Sequence, residues 1–300
     1  MTIHSVRGHD DLHYVDTGML GHDERMAAYV IDGTEPTVID PGLSTATDRL
    51  LAGLDELGLA PESVEHIILT HIHLDHAGAA GFLADRCPGA TVHCHEIGAH
   101  FLSDEAKLSK LLTSVRQNAG ALADDYGTAQ PIPDGRFDAL SGGERIDLGD
   151  RALEVIATAG HAPHHICLYG PDDGVLFTGD ECGEYIAGTM LPTTPPPNFA
   201  LDENLNSLDR LTEYDVETLL YAHYGPRYDI EGAFTEYNSV LREWVETVEE
   251  RWRACLDGRE VARSIVEGDT APHFARWNGG VAAERARIDV EGALEYLKDQ

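Results

Sequence analysis

Short apolar segments alternate with amphipathic ones along the first 120 residues of the chain. Residues 12–40 hold short runs separated by turn signals such as Asp32-Gly33, which predicts a series of β-strands. Beyond them the pattern predicts a helix over Thr45–Leu57, a strand over Val64–Leu69, a helix within Ala77–Arg86, a strand over Ala90–His95 and a helix over Ser103–Ala119. Strands and helices are therefore interleaved in this half.

The second half of the chain begins with strands and ends with helices. Strands are predicted over Ala152–Ala157, Gly174–Thr178 and Val216–Ala222, and a stiff proline-rich stretch covers Leu191–Phe199. The later periodicity is helical, over Gly232–Leu256, Gly258–Gly268 and Ala282–Lys298. We therefore predict an α+β domain over residues 1–228 and a C-terminal helical extension over residues 229–300.

Acidic residues dominate the charged positions. The chain has 53 Asp and Glu against 21 Lys and Arg, a net charge of −32, and only three of the basic residues are lysines. A surface of this sign repels nucleic-acid phosphates and anionic membranes, so we expect neither as a partner. The charge is spread along the chain, which favours a surface adapted to high salt, and hence a halophile, over an electrostatic funnel for a cationic substrate.

Cysteine usage and hydropathy indicate the compartment. The five cysteines are scattered and form no Cys-x-x-Cys pair, a pattern typical of reduced thiols. No run approaches the ~18 apolar residues of a membrane span, and no basic segment followed by an apolar one opens the chain. We expect a cytoplasmic protein.

The segment Thr70–His76 carries the densest chemistry, with three imidazoles and one carboxylate in its last six residues. Imidazole nitrogens and carboxylate oxygens are zinc ligands. The segment joins a predicted strand to a predicted helix, and residues two apart on an extended backbone point the same way, so His71 and His73 can bind one ion. The turn that follows can direct Asp75 and His76 at a second ion. A histidine-rich polar loop without metal is the weaker interpretation.

One loop cannot complete two metal sites, and three later strand ends offer further ligands. His161 and Asp180 each follow a predicted strand directly after a glycine, and His223 follows the strand over Val216–Ala222. A single histidine on an apolar strand is usually a core residue. The repetition of this arrangement at three strand ends favours metal ligands instead.

These motifs, in this order, resemble the metallo-β-lactamase superfamily, most closely its glyoxalase II-like hydrolases. The resemblance spans roughly residues 10–228 and includes Val38-Ile39-Asp40-Pro41-Gly42. It implies an αββα sandwich with a dinuclear metal site on one edge, in which the stretch Gln130–Gly135 links the two halves. It also implies a metal-dependent hydrolase that uses a bridging hydroxide.

Carried over residue by residue, the resemblance assigns every ligand. The first ion would be held by His71, His73 and His161, the second by Asp75, His76 and His223, and Asp180 would bridge both. Two divalent ions are implied, zinc first, with iron or manganese as alternatives.

The resemblance also names supporting residues. Asp75 and Asp180 would share in catalysis, and His165 and Tyr224 would donate hydrogen bonds to an oxyanion, although each could equally be structural. Asp40 would support the site, or would simply cap a turn.

The chain departs from the family pattern in ways that bear on its substrate. His164 stands where the family has glycine, Glu181-Cys182-Gly183 replaces a Thr-Leu-Phe stretch, and the basic glutathione-binding segment is missing. We expect a small-molecule substrate, a thioester or ester. A mononuclear-iron persulfide dioxygenase and a non-catalytic metal-binding module remain the alternatives, and a homodimer is left open.

Overall fold

Side chains alternate between two apolar faces along the strands. In the strand Ile166–Gly170, Ile166 and Leu168 belong to one hydrophobic cluster, whereas Cys167 and Tyr169 belong to another. This period of two means that both faces of the strand are buried. The protein, described here by a computed structural model over residues 3–268, 277 and 279–300, has two such sheets packed face to face.

The first sheet has seven strands in chain order: β1 (Ile3–Ser5), β2 (Leu12–Asp16), β3 (Ala27–Ile31), β4 (Thr37–Ile39), β5 (His66–Ile68), β6 (Thr91–His95) and β7 (Phe137–Leu140). Strands β1 to β4 pair antiparallel, and β4 to β7 pair parallel. The carboxyl ends of the four parallel strands therefore meet at one edge of the sheet.

The second sheet has six strands: β8 (Arg145–Asp147), β9 (Ala152–Ala157), β10 (Ile166–Gly170), β11 (Val175–Gly179), β14 (Thr218–Tyr221) and β15 (Gly225–Arg227). Their order is β15-β14-β11-β10-β9-β8, and only β11 and β14 are parallel. A separate hairpin is formed by β12 (Glu184–Ile186) and β13 (Thr189–Leu191).

Helices cover the outer face of each sheet. The helices of the first half are α1 (Thr47–Glu56), α2 (Leu74–Ala77), α3 (Ala80–Arg86), α4 (Glu96–Leu102) and α5 (Glu105–Ala119). Those of the second half are α6 (Leu201–Leu211), α7 (Ala233–Cys255), α8 (Gly258–Glu267) and α9 (Gly279–Lys298). Three hydrophobic clusters lie between these layers, one on each helix side and one between the sheets, so the α+β αββα sandwich with C-terminal helices is confirmed.

The chain passes between the sheets later than the sequence predicts. The stretch Gln130–Gly135 was expected to link the halves, but β7 follows it and still pairs with β6 in the first sheet. The crossing lies between Leu140 and Arg145, where Gly142 has a φ of 105° and a Cβ would lie 2.6 Å from that of Ala157. The prediction was wrong because the prolines of the earlier loop are a stronger turn signal than these glycines.

The C-terminal helices share a hydrophobic cluster with the outer face of the second sheet. The Trp244 indole on α7 donates to Thr194 Oγ1 at 2.9 Å, and Asp289 on α9 accepts from the Thr194 backbone N–H at 2.9 Å. The division of the chain at residue 228 stays a prediction. Within the described residues, none of the helices is both long and apolar enough to cross a membrane.

Candidate metal centre

All seven predicted ligands lie just past the carboxyl ends of strands on one edge of the sandwich. His71 and His73 lie in the loop after β5, and α2 carries Asp75 and His76. The other three follow β9, β11 and β14, at His161, Asp180 and His223. The two sheets thus contribute to one cluster, and six of its seven members are buried.

The first group of ligand atoms comes from three imidazoles. His73 Nδ1 lies 3.0 Å from His71 Nε2 and 2.9 Å from His161 Nε2. The three nitrogens all lie within 4.8 Å of one another, as the ligands of one ion must.

The second group contains a carboxylate and two imidazoles, Asp75, His76 and His223, whose ligand atoms also lie within 4.8 Å of one another. Asp180 connects the groups because its two oxygens point in different directions. Its Oδ2 lies 3.5 Å from His161 Nε2, while its Oδ1 lies 3.2 Å from His76 Nε2 and 3.6 Å from His223 Nε2.

Three of these converging atoms have no hydrogen-bond partner. His76 Nε2, His223 Nε2 and Asp180 Oδ1 are buried and make no well-aligned hydrogen bond within the described residues, although His76 Nε2 and Asp180 Oδ1 lie 3.2 Å apart. Unpaired polar atoms are rare in protein interiors, so three that face one another need a common explanation. A cation between them satisfies all three, and the residues therefore fit the metal that their chemistry implies.

The outer nitrogens of the imidazoles fix which nitrogen faces inward. His161 Nδ1 donates to the Thr193 carbonyl at 3.3 Å, His223 Nδ1 donates to the Arg25 carbonyl at 2.7 Å, and His76 Nδ1 donates to Asp40 Oδ2 at 2.9 Å. Since these acceptors have no proton to give, each Nδ1 carries the hydrogen, and each Nε2 presents a lone pair to the cluster.

Asp40 supports the site through two ligand residues. Its carboxylate accepts from the Thr70 backbone N–H at 2.8 Å and the Thr70 hydroxyl at 2.7 Å, besides His76. The Thr70 hydroxyl in turn accepts from His71 Nδ1 at 3.1 Å. Asp40 is thus more than a turn cap, because it orients an imidazole in each group.

Electrostatics place most of the cluster in the metal-binding protonation state. Burial lowers the pKa of His71 well below its usual value, and the imidazoles of His76 and His73 lower it further. Burial raises the pKa of Asp180, but facing imidazoles outweigh it and hold that pKa well below the usual value. His76 is the exception: burial lowers its pKa, yet the carboxylates of Asp180 and Asp40 raise it well above normal. A proton on His76 and a cation therefore compete for the same place.

The two predicted oxyanion donors lie away from the open side of the cluster. His165 contacts Thr158 Oγ1 through Nδ1 at 2.9 Å and accepts from the Asp180 backbone N–H through Nε2 at 3.1 Å. Both ring nitrogens are therefore engaged beneath the ligands. Gly179 leaves room for this contact, because a Cβ there would lie 2.4 Å from His165 Nε2. The geometry favours an orienting role for His165.

Tyr224 follows the predicted ligand His223 and packs, partly buried, against two hydrophobic clusters. Its ring lies 6.0 Å from that of Tyr14 in an edge-on arrangement, and burial raises the pKa of its hydroxyl. It does not border the cavity described below.

A cavity of about 440 Å³ opens over the ligands. Its floor is formed by the predicted ligands His73, Asp75, His161 and Asp180, and its walls come from α4, α5, α9 and the proline-rich stretch. The apolar wall residues are Ile72, Leu74, Ile97, Phe101, Leu111, Val115, Ala119, Tyr126, Pro163, Pro195, Pro196, Pro197 and Ile288.

Sequence reasoning missed Arg285, which reaches the site from α9. It pairs with Glu184, and its Nη1 lies 4.0 Å from Asp75 Oδ2. The carboxyl of Asp289 borders the same cavity, and burial raises its pKa to about 6. The helical spacing could have identified both residues, because Arg285 and Asp289 lie four residues apart on one face, beside the buried Ala286 and Val290.

Comparison with known proteins agrees with this geometry. The family profile described as Metallo-beta-lactamase superfamily matches residues 25–223. The metallo-beta-lactamase fold-containing protein ST1585 of Sulfurisphaera tokodaii is 33% identical over 218 residues, which cover 71% of this chain and 78% of that protein. A hydroxyacylglutathione hydrolase of Rhizobium meliloti is 26% identical over 207 residues, 66% of this chain and 63% of the relative.

Solved structures extend the similarity beyond the ligand loops. The crystal structure of ST1585 from Sulfolobus tokodaii has a TM-score of 0.71 at 27% identity and covers 96% of this chain and 98% of its own. TTHA1429 from Thermus thermophilus shares the fold with a TM-score of 0.65 at 23% identity, over 91% of this chain and 88% of its own. The seven converging ligands, the four-layer sandwich and the matched profile together show that this chain belongs to the metallo-beta-lactamase superfamily.

Proposed function

We propose that this protein is a metal-dependent hydrolase with a dinuclear site, acting on a small thioester or ester. The observation that carries the proposal is the position of the Asp180 carboxylate, whose two oxygens face two separate groups of ligand atoms. A carboxylate in this position supports a pair of ions rather than one.

In this proposal His71, His73 and His161 hold one ion, Asp75, His76 and His223 hold the other, and Asp180 contacts both. Two divalent ions in such a site lower the pKa of water toward neutrality and polarise the acyl oxygen of a substrate. The mixture of imidazole and carboxylate ligands suits zinc first, and iron or manganese next.

The remaining residues orient the ligands and position the substrate. Asp40, the Thr193 carbonyl and the Arg25 carbonyl fix three imidazoles, which keeps the ligand atoms in place before any substrate arrives. The apolar walls of the cavity exclude water and hold the acyl chain against the ligands.

The cavity also supports the substrate class. Among the described residues, Lys110 and Arg285 are the cationic side chains on its wall, and Arg285 is already paired with Glu184. Such a wall suits a small apolar acyl group better than a large anionic carrier. The hydroxyacylglutathione hydrolases among the relatives support hydrolysis as the reaction.

Three further predictions belong to this proposal. We infer a cytoplasmic protein adapted to high salt, because the net charge is −32 and four of the five cysteines are buried free thiols. We infer a small-molecule substrate with no nucleic-acid or membrane partner. A homodimer stays open.

The proposal is tested with Asp180→Ala in anaerobic assays on a small thioester, with zinc or manganese supplied. Loss of the shared carboxylate removes a ligand from both ions, so we expect turnover to fall about 100-fold or more. Asp138→Ala is the matched control, because this carboxylate is 60% exposed on β7 and borders no ligand. Activity that required ferrous iron and oxygen, on a persulfide, would contradict the hydrolase.

A further inference from the structure

One polar side chain in the cavity has no role in the centre described above. His164 borders the cavity but belongs to neither ligand group, and its Nδ1 has no hydrogen-bond partner within the described residues. The sequence marks the same position, since it holds His164 where the family pattern has glycine.

The ring of His164 lies beside the first group of ligands. Its centroid is 5.9 Å from that of His73 at a steep angle, and 6.3 Å from that of His71 in a nearly parallel orientation. A group held against this ring is therefore also next to the place where an acyl oxygen must approach the first ion.

One of the two ring nitrogens of His164 is buried. His164 Nδ1 is buried and has no partner, while the ring as a whole is only partly buried and borders the cavity. Nε2 is therefore the nitrogen that a ligand in the cavity can reach. In a neutral imidazole the hydrogen bond made by one nitrogen sets the tautomer, so a ligand oxygen that accepts at Nε2 selects the form with the proton on that nitrogen.

Two of the other polar groups that border the cavity, Arg285 and Asp289, are already engaged. Arg285 pairs with Glu184, and Asp289 accepts from the Thr194 backbone N–H. His165, the donor that the sequence predicted, has both nitrogens occupied. In its neutral form the His164 ring has a single N–H to offer to a ligand.

We propose that His164, rather than His165, donates a hydrogen bond from Nε2 to the acyl oxygen of the substrate beside the first ligand group. The inference rests on the proposed function for the reaction, but not for ligand binding. A donor aimed at an oxygen that gains negative charge stabilises the transition state more than the ground state. Removing it should therefore affect kcat more than KM.

The test compares His164→Leu with His164→Gln. Leucine keeps apolar bulk on the wall without a donor, whereas the glutamine amide returns an N–H near the position of Nε2. His100→Leu is the matched control, because His100 is exposed on α4 and does not border the cavity. All proteins are loaded with zinc, and metal content is measured for each.

Two readouts are used, calorimetric binding of hexanoate and hydrolysis of a hexanoyl thioester of N-acetylcysteamine. For His164→Leu we expect hexanoate to bind about tenfold more weakly and kcat to fall about 10- to 100-fold, with unchanged metal content. His164→Gln should stay within about threefold of wild type in both, and His100→Leu should match wild type.

The outcomes separate the two proposals. If the wild type does not hydrolyse the thioester but His164→Leu weakens hexanoate binding, the hydrolase proposal fails and the contact stands. If the wild type is active and His164→Leu equals it in both readouts, the role of His164 is wrong. Metal loss in His164→Leu, or no hexanoate binding by the wild type, would also overturn the proposed role of His164. If the leucine variant does not fold, His164→Ala against His164→Gln decides.

Discussion

Strand β5 has a histidine cluster at each end, and the two clusters are built differently. At its carboxyl end lies the candidate metal centre. At its amino end, His66 Nδ1 lies 2.9 Å from His93 Nε2, a separation as short as those between the metal-site imidazoles. The distance between two imidazoles therefore does not by itself identify a metal site.

The partners of the other nitrogens make the difference. His66 Nε2 contacts Glu35 at 2.7 Å, and His93 Nδ1 contacts Asp138 at 3.1 Å, so the four side chains form a line in which every ring nitrogen has a partner. In the metal centre the outer nitrogens of His76 and His223 are hydrogen-bonded, but their inner Nε2 atoms face the cluster without a partner. Convergence of unsatisfied atoms, rather than histidine density, distinguishes a metal centre from a hydrogen-bond network.

The largest test of this comparison is the metal content of two matched variants. His223→Ala removes a ligand of the second group, so we expect the protein to hold about one zinc ion per chain instead of about two. His93→Ala removes an imidazole from the linear cluster and should leave two. Elemental analysis after gel filtration measures both. A normal metal content in His223→Ala, or a lost ion in His93→Ala, would break the comparison.

A smaller effect concerns acid stability at the linear cluster. Burial and the facing imidazole of His66 lower the pKa of His93 to about 4, although Asp138 opposes them. The unfolded chain binds this proton at pH values near 6.5, so the folded state loses stability as the pH falls from about 6.5 to about 4. The titratable groups that face His93, directly or through His66, are His66, Asp138 and Glu35.

Urea unfolding across this pH range measures the effect. In His93→Gln the free energy of unfolding should depend less steeply on pH, by as much as about 1 kcal/mol per pH unit. An unchanged slope would show that His93 does not titrate in this window.

The smallest expected effect is that of salt, which screens the exposed charges of the surface but does not reach the buried ligand atoms. The net charge of −32 makes the surface repel itself, and molar salt shortens the range of that repulsion to roughly 3 Å. We expect the melting temperature to rise by roughly 3 °C or more between dilute and molar NaCl. Metal content should not change, because the ligand atoms are buried. A melting temperature that is independent of salt would contradict the adaptation to high salt.

The sequence predicted the ligand loops well because each carries its own local signal. His71, Asp180 and His223 all follow short apolar strands, and the structure brings them together at one edge. The sequence could not predict which side chains beside the ligands face the cavity. His164 and His165 are adjacent in sequence and chemically identical, and only the packing of the loop places one at the cavity and the other beneath the candidate ligands.

Elements without a distinctive pattern were also missed. Helix α4 and the β12–β13 hairpin are short, and tertiary packing stabilises them more than their own propensity does. Helix α6, of 11 residues, was missed although its pattern is amphipathic. The reach of Arg285 from α9 to Asp75 joins positions 210 residues apart, and no local pattern records such a contact.

The wall that α9 contributes has a consequence for how this protein can diversify. The ligands lie between residues 71 and 223, whereas Ile288 and Asp289 reach the cavity from the last tenth of the chain. A change in that terminal stretch can reshape the chamber without altering any ligand. Under the proposed function, selectivity and metal chemistry can therefore change separately, and exchanging α9 between relatives should alter the cavity while the candidate ligands stay the same.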